Sequence, residues 1–163
     1  MTIEAHPLPE GALLDRYARM PGAYTDCFSC MVAGTITLET YLRAFYSTRL
    51  FGLERHVLRL AGSPSTREDI DALARGQTRN FAAWEVDSRT TQEVLLRDRS
   101  GRTRSWLGVA AENGGTRLFF GSAVPPDRSG KLGPGFQALL GVHKLYARAL
   151  LNGARKRLSR QMP

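Results

Sequence analysis

Apolar and polar positions alternate with two different periods along the chain, and the switch between them divides it into elements. Residues 23–33 alternate with period two and end at Gly34, which predicts a strand. Tyr24, Asp26, Phe28, Cys30 and Val32 would share one face, and Thr25, Cys27, Ser29 and Met31 the other. Leu38, Tyr41, Leu42 and Phe45 then recur at helical spacing behind Thr37, a residue type that caps helix N-termini. A second helix is expected from Leu50 through Val57 to Ala61, stopped by Gly62. Ser65 and Glu68 have capping-box spacing and predict a third short helix through Ile70 and Leu73, stopped by Gly76.

Period two returns over residues 81–124. Four strands are expected, at 81–87, 92–97, 103–111 and 116–124, separated by short polar breaks. Asn113-Gly114 marks a tight hairpin, with positive φ expected at both central positions. Pro125-Pro126 ends the strand series. From Phe136 a long helix is expected to about Leu158, with a stripe of Phe136, Leu139, Leu140, His143, Tyr146, Ala147, Leu150, Leu151 and Ala154. Such a helix buries its stripe by lying across the sheet. The pattern predicts an α+β domain: a curved antiparallel sheet of about five to seven strands around a long C-terminal helix, with two or three short helices after the first strand. Residues 1–163 read as one domain, with an irregular N-terminal segment (1–20, one helical turn near Leu13–Ala18) and a short tail (159–163).

Composition narrows the function classes. A chain of 163 residues can bury a core without disulfides or metal. The longest apolar run, Trp106 to Ala111, is far below the roughly 20 residues of a membrane span. The start of the chain has neither the basic nor the apolar region of a secretory signal, and two cysteines make no disulfide framework, so a reducing, cytoplasmic setting is expected. The net charge of +8 raises the question of nucleic acid. Three lysines (Lys131, Lys144, Lys156) and scattered arginines, with no aromatic residues interleaved among the basic ones near the C-terminus, argue against it.

The element order resembles the helix-grip superfamily that includes START domains, polyketide cyclases and the birch-pollen allergen. The likeness covers about residues 24–158. The chain is also similar to members of an uncharacterised bacterial family. The stretches that carry this are Tyr24 to Cys27, Leu42 to Tyr46 with Leu53 to Arg55, Gly101 to Leu107, and Thr116 to Val124. The resemblance implies a sheet gripping the last helix, often with a cavity between them. The pattern yields five strands where that fold has about seven, which points to a shorter or partly open sheet.

Several residues could carry chemistry. Cys27 and Cys30 form a CxxC, but on a strand residues three apart face opposite sides, and a redox pair needs a helix N-terminus. A zinc site would need further ligands, and only His6, His56 and His143 are available, so no metal and no cofactor are expected. His143 and Tyr146 lie on the apolar stripe and face the interior, either as satisfied core groups or as proton-transfer residues. Asp26 lies within a strand, where a buried carboxylate requires a partner; Arg43, Arg49, Arg55, Arg89 and Arg104 are the candidates. Trp106 and Phe119 are each followed by small residues on their own face, leaving room for the last helix or a ligand. The leading expectation is a small apolar or aromatic ligand held between sheet and helix by Tyr24, Phe45, Trp84, Trp106, Phe120, His143 and Tyr146. The alternatives are a cyclase, dehydratase or hydrolase-like enzyme in the same pocket using His143, Tyr146 or Asp26, and a homodimer without ligand.

Overall fold

A computed structural model describes residues 2–52, 65–133 and 136–161. The elements run β1 (Glu4–Ala5), α1 (Asp15–Ala18), β2 (Tyr24–Ala33), α2 (Leu38–Tyr46), α3 (Arg67–Arg75), β3 (Asn80–Phe81), β4 (Trp84–Arg89), β5 (Glu93–Asp98), β6 (Arg104–Glu112), β7 (Gly115–Val124) and α4 (Phe136–Gln161). The strands form one antiparallel sheet in the order β1-β2-β7-β6-β5-β4-β3. It curves around α4, as the alternation of periods predicts.

The sheet has seven strands, at the upper end of the expected five to seven, and the two beyond the five read from the pattern have local reasons. The segment expected to be one strand from Phe81 folds as a hairpin: Phe81 pairs with Trp84 across Ala82 and Ala83. Ala82 adopts φ 51°, a region that side-chain-bearing residues rarely enter, so nothing in the sequence announces the turn. The other addition, β1, places Glu4 and Ala5 beside Ser29 and Phe28 in a segment expected to be irregular. The hairpin at Asn113-Gly114 forms as expected, but only Gly114 takes positive φ.

The helix ends follow the capping rules with one change of partner. Thr37 Oγ1 accepts from the Thr40 N–H, closing the start of α2. At α3 the capping box is Thr66 with Asp69, not Ser65 with Glu68. Both pairs have the same spacing, and one residue of phase decides between them. Gly76, at φ 72°, ends α3 in the left-handed conformation. Arg89 of β4 donates to the carbonyls of Leu73 and Ala74 and so ties that helix end to the sheet. A further helix begins at residues 49–52; most of the helix expected from Leu50 to Gly62, and the Leu139 side chain, lie outside the described residues.

Both sheet faces are apolar, and each has its own cover. On one, Phe28, Cys30, Val94, Leu96, Leu107, Leu118 and Phe120 pack against α2, α3 and the C-terminal half of α4, where Ala147, Leu150, Leu151, Ala154 and Leu158 are buried. On the other, Cys27, Leu95, Trp106, Phe119 and Ala123 lie under Ala12, Leu14 and Tyr17 of the N-terminal segment. That segment is a strap, fixed at Glu93: Oε2 accepts the Leu13 N–H at 2.8 Å and the Trp106 indole N–H at 2.6 Å. Arg104 donates from Nε to the Tyr17 hydroxyl, and Arg16 pairs with Asp87 at a bulge in β4.

The small residues beside Trp106 have a packing reason. A Cβ at Gly108 would stand 2.9 Å from the Trp106 ring. One at Gly121 would stand 2.8 Å from a Leu14 methyl and 2.9 Å from the Asp26 carbonyl oxygen. The indole and the strap fill this space, in place of the C-terminal helix or ligand expected there.

Candidate functional site

The N-terminal half of α4 leaves a gap over the sheet that its C-terminal half does not. Ala147 and Ala154 bring the far half into close contact with the core, whereas Phe136, Leu140, His143 and Tyr146 are only half buried. Between them and the strands lies a cavity of about 350 Å³. Phe45 and Tyr46 of α2, Phe51, Trp84 at the start of β4, and Phe120 of β7 line it. The rings pack edge-on or tilted: Phe45 against Phe120 at 4.9 Å and Tyr46 against Phe51 at 4.8 Å between centroids. The wall is predominantly apolar, with polar groups gathered at one end, on Thr103, Ser105, Ser122 and His143.

Six of the seven residues expected to hold a ligand meet here: Tyr24, Phe45, Trp84, Phe120, His143 and Tyr146. Trp106 does not. It lies 1% exposed under the strap on the opposite sheet face. Its place in β6 puts it out of phase with Leu107, and a one-residue step along a strand changes face. Phe51, Leu140 and Ser122 line the cavity without having been singled out in sequence. Leu140 stood on the predicted stripe, and Ser122 shares its face with Phe120, so period alone could have found both.

Asp26 anchors the polar end. Its side chain is 9% exposed. Oδ2 accepts the Tyr24 hydroxyl proton at 2.7 Å, and Oδ1 accepts the Ser122 backbone N–H at 3.1 Å across the β2–β7 register. His143 Nε2 approaches Oδ2 to 3.2 Å, within ion-pair reach but off the angle of a hydrogen bond. The arginine partner expected for Asp26 is absent among the described residues; a tyrosine and a histidine take its place. Burial, and then the adjoining carboxylate, push the Tyr24 phenol well above its ordinary range, so it remains a donor. Tyr24 also packs edge-on against Phe136 at 5.0 Å.

The two cysteines diverge, as their spacing on β2 predicts. Cys27 is buried under the strap and Cys30 on the helix face. Burial, with Asp26 nearby, pushes the Cys27 thiol up to about 12. Burial also raises Cys30, to about 11, against the opposing pull of Arg155 and Arg117. Both thiols should resist labelling by a disulfide reagent near neutral pH in the native state and react at once in urea. Rapid native labelling at either position would contradict this burial. Linkage gives a second consequence. Unfolded thiols lose their protons near 9.0 while the folded ones hold theirs to about 11 and 12. Stability is therefore full below 9.0 and falls as pH rises through that window, a slope that Cys27→Ala/Cys30→Ala should flatten in urea titrations.

Among the described residues no group of three or more His, Cys, Asp or Glu side chains is placed to hold a metal, and no helix is long and apolar enough to cross a membrane. Fold and site together define an α+β domain with an aromatic cavity between an antiparallel sheet and a C-terminal helix. No family model, no curated protein and no solved structure matches the chain.

Proposed function

We propose that the protein binds a small apolar or aromatic molecule in the cavity between the sheet and α4. The observation that carries this reading is the cavity itself: about 350 Å³ of predominantly apolar space walled by aromatic rings. The cavity is partly open, and a bound molecule would cover the aromatic surface that it leaves in contact with water. Its volume falls at the lower end of ligand sites, and a mostly apolar wall with a few clustered polar groups is their usual form. The likeness to the helix-grip superfamily belongs to this proposal, and the sheet order with the helix across its curved face supports it.

A proton-transfer enzyme in the same cavity is the second reading. The contact between His143 and the buried Asp26 favours it, because a carboxylate behind an imidazole stabilises the charge a general base acquires.

Native mass spectra of gently purified protein, repeated after denaturing extraction, test both readings. The expected result is a non-covalent adduct that extraction removes, with retention weakened in His143→Ala and Tyr146→Ala. Unchanged retention in both variants, with folding intact, rules out this placement. If the extracted compound is returned to fresh protein and converted, the second reading gains; if it is bound unchanged, the first does.

A further inference from the structure

The polar end of the cavity holds two groups with nothing to bond. Ser122 is 5% exposed, and its hydroxyl has no hydrogen-bond partner. His143 Nε2 is shielded from solvent and likewise lacks one. Buried polar atoms in folded proteins are nearly always satisfied, so two orphans in one corner call for a cause.

The surroundings fix what these groups offer. The Ser122 main chain is already committed, its N–H to Asp26 Oδ1 at 3.1 Å, which leaves the hydroxyl uncommitted. Asp26 Oδ2 is occupied by the Tyr24 hydroxyl. His143 Nε2 stands 3.2 Å from that oxygen but off the angle of a hydrogen bond, so in the tautomer with the proton on Nε2 its N–H is not committed to Asp26. In that tautomer the imidazole can donate, and the serine hydroxyl can donate or accept. Both touch the same carboxylate, one through its backbone and one through its ring, and both line the same cavity.

Resting on the ligand-binding reading, we infer that Ser122 and His143 form a subsite for one ligand oxygen, a phenolic hydroxyl or a conjugated carbonyl on a flat aromatic body. Such an oxygen accepts from Nε2–H and meets the serine hydroxyl, which donates to a carbonyl or accepts from a phenol. The aromatic rings of Phe45, Phe120 and Trp84 take the rest of the molecule. A carboxylate ligand is disfavoured, because Asp26 stands directly behind the corner. The subsite selects molecules with one hydrogen-bonding oxygen over plain hydrocarbons of the same shape, because only the former satisfy donors that binding would otherwise seal in.

Titration with 2-naphthol and with naphthalene, read by the fluorescence of Trp84 in the cavity wall, tests this inference. We expect 2-naphthol to bind about tenfold or more tighter. In Ser122→Ala, whose fold is checked by its thermal midpoint, that preference should fall to a few-fold or less. Equal affinities in the unmodified protein, or a preference unchanged by Ser122→Ala, would overturn the subsite while leaving the apolar cavity in place; water would then fill the corner. If neither compound binds, the cavity reading fails and the subsite fails with it.

Discussion

Trp106→Ala should lower the free energy of unfolding by about 3–5 kcal/mol, the range for truncating a large buried aromatic side chain. The indole is 1% exposed and is packed between Phe119, at 5.7 Å, and the glycines whose missing side chains make room for it. Two losses act together. A void opens under the strap, and Glu93 loses the indole N–H while keeping that of Leu13. Trp106→Phe retains most of the volume but not the hydrogen bond, so it should cost about 1–3 kcal/mol. Urea unfolding of both variants measures this. A loss below about 1 kcal/mol for the alanine variant would mean that the strap collapses into the space and that the second core is softer than its packing indicates. The cavity lies on the other side of the sheet, so its lining should be unchanged in any folded fraction.

Asp26→Ala should destabilise the protein by about 2–4 kcal/mol, because it leaves the Tyr24 hydroxyl and the Ser122 N–H without their acceptor. Asp26→Asn is the informative contrast. Its amide oxygen can still accept from the Ser122 N–H, and its NH₂ group can donate to the Tyr24 oxygen, so most of the loss should be recovered. Equal losses in the two variants would show that the charge beside His143, and not the hydrogen-bond pattern, is what the site requires. Chemical denaturation of the two variants separates the two outcomes.

What the sequence revealed followed from periodicity. The face shared by Tyr24, Asp26 and Phe28, the meander of strands and the stripe of the last helix are repetitive patterns, and they brought six cavity residues together correctly. Trp106 failed because alternation says which residues share a face but not which face is which. That choice is made by the strap, whose irregular sequence carries no period. The Ala82 turn was invisible for a different reason: the tertiary structure imposes a left-handed backbone on a residue with no preference for one. The partner of Asp26 was likewise unreadable, since a strand residue and a helix residue 117 positions apart meet only through the fold.

The β2–β7 pairing has a consequence for the order in which the protein assembles. Strands β4 to β7 are joined by short turns and can pair as soon as they exist, whereas setting Tyr24 beside Val124 closes a loop of nearly the whole intervening chain. The cavity needs β2 for one wall and α4 for its roof. The cavity is therefore absent until α4 has docked on the β2–β7 pair, and any molecule that bound there would stabilise only the fully assembled domain.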